Sequence, residues 1–177
     1  VLSWTSDDPR QSQLFNSSGP VYRFQTDASR GQMVTTVTKT TSPGNRGSRD
    51  GKVAKLEWAP NGGLGRAVMR QSLMSMIDLV KPDPRNLGYR TFSAPDGQTY
   101  RWRPGGNFHV HDVLLQDRYG DVIAFVRPVR RTRYPVGDVY AELHFVSPSV
   151  VSTASPQMMD AVTVSAMLYR YCMAFGA

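Results

Sequence analysis

The chain has almost no cysteine, very little lysine and no block of like charge. Its single thiol, Cys172, excludes an internal disulfide framework, so the fold has to be held by its core and its ladder, and a reducing compartment is the simpler setting. Nowhere do five like charges follow one another, which removes a charged tail as an interaction device. The first residues, VLSWTSDDPR, carry no basic run followed by an apolar stretch. No secretion signal is therefore expected, and the reading is a cytoplasmic protein that attaches peripherally to membranes where its cations meet acidic lipid.

What is there begins with arginine. The net charge is +7, and the cations are 17 Arg against 4 Lys. Guanidinium forks match phosphate bidentately where an ammonium acts as a point charge, so this balance suits an anionic partner. The length of 177 residues fits a single domain, 1–177, able to bury well over half of its unfolded surface.

Most of the chain reads as short runs of period two separated by Gly, Pro, Asn and Asp, the pattern of antiparallel β structure. Val21–Thr26 places Tyr22 and Phe24 on one face, and Val34–Thr40 is β-branched throughout its first half. Ser42–Gly51 is all turn formers and charge and is expected to be a loop. Val53–Trp58 puts Leu56 and Trp58 inward, and a turn at Asn61-Gly62-Gly63 leads to a strand around Arg66–Arg70. Gln71–Val80 fits a strand or a short helix equally. Pro95-Asp96-Gly97 between Thr91–Ser93 and Gln98–Arg103 supplies the fixed φ, side-chain acceptor and positive φ of a tight hairpin, with Tyr100 and Trp102 on its inner face. Strands are expected at Asn107–Leu115, Asp121–Arg127 and Val139–Val146, with Pro128–Asp138 as a basic loop between prolines.

The final stretch, Ser155–Ala177, differs in kind. Ser155 is a suitable N-cap, Pro156 suits the first turn, and apolar side chains then cover every side but a thin strip of Asp160, Thr163 and Arg170. A helix over about 156–174 follows, long enough for a bilayer or for a deep protein core. Asp160 and Arg170 would each cost about 2.5–3.5 kcal/mol near a bilayer centre, which favours the core. The fold class expected is mainly β (α+β): one antiparallel β-barrel of about 9–12 strands around a hydrophobic central helix, with no transmembrane segment.

The order SDDPR, VYRFQTD, KLEW, RTFSAPDGQTYRWR and VIAFVR, spread over about Ser6–Phe175, resembles an uncharacterised family of mushroom (basidiomycete) proteins. That family is similar to the tubby C-terminal-like superfamily, with its tubby proteins, plant LURP-one-related proteins and phospholipid scramblases. The most specific part is Phe92, Pro95, Asp96, Gly97, Tyr100, Trp102 and Arg103. The resemblance implies a barrel wrapped around a hydrophobic C-terminal helix and carries no activity with it.

The candidate anion-binding residues are Arg101 and Arg103 on one strand face with Arg127, Arg130, Arg131 and Arg133 beyond; on neighbouring strands they could converge on a phosphate-rich headgroup, as the tubby-like resemblance suggests. The bland alternative is the solvated outer face any one-sided sheet needs. His109 and His111 alternate on one strand but lack a third ligand, so no metal and no cofactor is expected. No nucleophile stands beside a base and an acid, so no enzyme is expected. The function expected is a non-enzymatic module for phosphoinositides or other anionic lipids; the alternative is a structural, self-associating interaction protein. Nucleic acid binding has only net charge behind it.

Overall fold

The computed structural model describes residues 1–28, 31–40, 51–106, 110–134, 137–146 and 156–177, the side chains of 131–134 excepted. They form β1 (Leu2–Trp4), β2 (Ser12–Asn16), β3 (Gly19–Asp27), β4 (Val34–Lys39), β5 (Gly51–Glu57), β6 (Arg66–Met69), β7 (Ser72–Ser75), β8 (Lys81–Pro82), β9 (Arg90–Ser93), β10 (Thr99–Pro104), β11 (Val113–Gln116), β12 (Val122–Tyr134), β13 (Gly137–Phe145) and α1 (Pro156–Phe175). The protein is mainly β. One antiparallel sheet of 13 strands runs β7-β6-β5-β4-β3-β2-β1-β13-β12-β11-β10-β9-β8. Its edges, β7 and β8, are consecutive in the chain and joined through a 3₁₀ turn at Met76–Leu79.

Local chemistry sets the hairpins. In β9–β10 the Asp96 carboxylate accepts the Gln98 N–H at 2.9 Å and the Tyr100 hydroxyl at 2.6 Å, and Gly97 takes a φ of 78°, a conformation that costs glycine little. The β6–β7 turn is less favourable. Arg70 and Gln71 hold φ of 50° and 67°, where a side chain costs roughly 1–2 kcal/mol each.

Alternation then sets which side is buried. Tyr22 and Phe24 of β3, Ala54 and Leu56 of β5, and Tyr100 and Trp102 of β10 all lie inside, with charged neighbours between them outside. Helix α1 completes this core. Every residue from Ala161 to Tyr169 is buried, so protein covers all sides of the helix. Its ties run to widely separated parts of the sheet: the Tyr22 hydroxyl of β3 donates to Asp160 Oδ1 at 2.6 Å, and Trp102 Nε1 of β10 donates to Ser165 Oγ at 3.1 Å. The helix is thus tied to strands that stand far apart in the sheet order, β3 and β10. Among the described residues no helix is long and apolar enough to cross a membrane.

Several expectations change. Pro128–Asp138 is not a basic loop over its described residues: β12 runs on to Tyr134 and pairs with β13 from Gly137, with Arg133 paired by register to Asp138 and positions 135–136 outside the described residues. Pro128 cannot donate to a ladder, and the register shifts between Pro128 and Thr132 accordingly, a bulge in place of a break. Of the strand expected over Asn107–Leu115, positions 107–109 lie outside the described residues, Val110 and His111 sit in a turn, and β11 begins at Val113. Gln71–Val80 is both things in succession, strand β7 and then the 3₁₀ turn. Strands β1, β2 and β8 were not anticipated: three, five and two residues long, they offer too little alternation to stand out. Helix α1 spans Pro156–Phe175 against the expected 156–174. The Ser155 cap and positions 42–50 of the expected loop lie outside the described residues, and Gly51 opens β5.

Candidate functional site

Arg101 and Arg103 alternate with Tyr100 and Trp102 on β10, so burial of the aromatic pair forces the guanidinium pair outward. On the far side of β11 stands β12, where Ala124 and Val126 are buried and Phe125 and Arg127 point out. Leu114 of β11 lies level with both Arg103 and Phe125, which places Arg127 two positions further along and two strands, roughly 10 Å, across. Arg101, Arg103 and Arg127 therefore share one outer face.

Their surroundings differ. The Arg101 guanidinium is exposed and lies 5.5 Å from the Tyr89 ring centre. Arg103 is half-buried, its Nε donating to Gln116 Oε1 at 2.7 Å and its Nη1 to the Pro104 carbonyl at 3.0 Å. Arg127 forms a bidentate fork with Asp112, Nε to Oδ1 at 3.0 Å and Nη2 to Oδ2 at 2.8 Å. The Asp112 hydrogen bond raises the Arg127 pKa above its ordinary value, and because Asp112 is buried the pair is a structural clamp as much as a surface charge. Arg130 is exposed in the irregular part of β12 and already has a partner. The side chains of Arg131 and Arg133 lie outside the described residues.

The other candidates fare differently. His111 sits in the turn before β11, so the alternate-strand geometry expected of His109 and His111 does not arise there; His109 lies outside the described residues. No cluster of three potential metal ligands occurs among the described residues. Cys172 is buried, and desolvation raises its pKa, the opposite of an activated nucleophile.

The polar strip of α1 is where sequence reasoning stopped short. Asp160 accepts the Tyr22 hydroxyl at 2.6 Å and the Lys39 ammonium at 2.8 Å; burial first, then the Asp160 charge, push the Tyr22 pKa well up and keep it a donor. Arg170, the other charge of the strip, forms no ion pair with a described residue. It stacks 4.8 Å from the Trp4 ring centre and lines a pocket of about 430 Å³ with Asp7, Val113, Val126, Tyr140 and Met173. Nothing in the local sequence foretold the pocket, whose walls come from positions 7 to 174; the one signal was an arginine in an otherwise apolar helix.

Fold and site together define a class: a mainly β protein holding a buried C-terminal helix, with arginines on its outer face and one beside a pocket. The chain belongs to the Family of unknown function (DUF6593), which it matches over residues 7–170. Neither the curated proteins nor the solved structures include a match to it.

Proposed function

We propose that the protein is a non-enzymatic binding module for phosphoinositides or other acidic membrane lipids, acting peripherally at membranes from a tubby-like barrel. The observation that carries the binding reading is the shared outer face of Arg101, Arg103 and Arg127 on β10 and β12. Phosphate headgroups take forked guanidinium contacts, and each basic residue near an acidic bilayer contributes about 1 kcal/mol. The barrel reading is supported by a helix buried on all sides and by sheet edges that are consecutive in the chain.

The test is vesicle sedimentation with Arg101→Glu/Arg103→Glu. Arg127 is left alone, because removing it would take the bidentate fork from the buried Asp112 carboxylate and confound binding with stability. Acidic vesicles should bind the wild type well above neutral ones, and the double variant roughly 10–100-fold more weakly. Equal binding to neutral and acidic vesicles, or an unaffected variant, rules the reading out.

A second reading, self-association through β7, is favoured by its position at the sheet edge with Leu73 64% exposed. Unpaired edges recruit other strands. It predicts a scattering mass that rises with concentration and falls back for Leu73→Lys; a monomer at every concentration sinks it.

A further inference from the structure

Arg170 poses a physical problem that the outer face does not address. Its Nη1 is buried and finds no hydrogen-bond partner among the described residues. An unsatisfied buried donor is expensive, more so when charged, and native structures seldom keep one without a use. Desolvation pushes the Arg170 pKa down to about 10, with Asp7 and Asp8 acting in the other direction, so the group is still a cation at neutral pH.

The pocket walls are chiefly apolar, with Val113, Val126, Ala141 and Met173 among them, and about 430 Å³ falls within the roughly 300–1,000 Å³ of small-molecule sites. Of the carboxylates nearby, Asp112 is clamped by Arg127 and Asp8 is paired with Arg10, while exposed Asp7 lines the same pocket and acts on Arg170 through its charge without an ion pair. Arg170 is the cation at the wall of this chiefly apolar pocket.

We infer that this pocket is a second binding site, separate from the outer arginine face, for a small amphipathic anion: a carboxylate or phosphate monoester head held by Arg170, with an apolar body against Val113, Val126 and Met173. The head would meet the Arg170 guanidinium where that side chain lines the pocket, Nη1 itself being closed off from it, and Trp4, stacked under the guanidinium, makes the event visible. Lipid-derived acids and free phosphate share the head chemistry, so the probes have to separate head from tail.

The experiment titrates the full chain with octanoate, octyl phosphate, octanol and inorganic phosphate, following heat and tryptophan fluorescence. Octanoate and octyl phosphate should bind, octanol at least ~10-fold more weakly for want of the charge-assisted contact, and inorganic phosphate not measurably. Arg170→Met should abolish the preference for octanoate over octanol while keeping or raising the melting temperature, because it replaces an unpaired buried cation by an apolar chain of similar length. If that variant does not fold, Met173→Trp carries the test: Met173 is 54% exposed, so the larger ring should fold and fill the pocket, blocking both anionic amphiphiles. Arg101→Glu/Arg103→Glu should bind octanoate as the wild type does. The proposal is overturned if the wild type does not distinguish octanoate from octanol, if inorganic phosphate binds as well as octanoate, or if Arg170→Met or Met173→Trp binds octanoate unchanged.

Discussion

A chain ending before Pro156 is expected to show no cooperative unfolding transition and no dispersed amide spectrum. Helix α1 buries Met158, Val162, Val164, Met167, Leu168 and Tyr169 among others. At about 2 kcal/mol for each large side chain, six of these already match the roughly 5–15 kcal/mol that separates a folded domain from its unfolded state. The loss does not stop at the helix. Trp4, Leu14, Phe24, Leu56 and Trp102 would line an exposed apolar concavity, and a sheet with an uncovered apolar face associates or unfolds. A removable appendage would behave otherwise, leaving a urea transition with native near-ultraviolet dichroism; that result would show that the sheet stands alone.

Trp102→Ala is expected to lower stability by about 3–5 kcal/mol in urea denaturation, the usual cost of emptying a large aromatic site. Trp102 has no exposed surface, packs 6.0 Å from the Tyr169 ring and donates its indole N–H to Ser165 Oγ at 3.1 Å. It joins β10 to α1 at the middle of both. The hydrogen bond and the ring can be told apart. Ser165→Ala leaves the ring in place and strands a buried N–H, for about 1–3 kcal/mol. A Trp102→Ala loss under about 1 kcal/mol would mean that the β10–α1 contact is not part of the cooperative core.

These two effects bear on the proposed sites through support alone. Burial of Trp102 turns Arg101 and Arg103 outward, and α1 delivers Arg170 to its pocket. Lipid binding and amphiphile binding are thus separable by surface substitutions, while both depend on the core.

Much of the fold was legible where period two was strong and long enough. Val21–Thr26, Val53–Trp58 and Gln98–Arg103 each bury the residues their alternation indicates, because a strand with one apolar face has one stable way to lie on a core. The apolar helix was legible for the same kind of reason. Strands β1 and β8 were not, since three and two residues carry no period. The basic stretch after Pro128 misled because its composition is that of a loop, while its pairing is set by Asp138 and Val139 on the opposite strand. For the site, the sequence singled out the arginines but not their circumstances: Arg127 turned out to be clamped by Asp112, fifteen residues earlier.

By itself, then, the sequence determined a mainly β protein with a buried C-terminal helix and an excess of arginine, because alternation, turn chemistry and an all-round apolar surface are properties of neighbouring residues. Which strands stand side by side, which arginines share a face, and that Arg170 meets an apolar pocket beside Trp4 were decided only in three dimensions. Charge pairing and desolvation act through space between groups as distant in the chain as Asp7 and Ala174, and no local pattern records that distance.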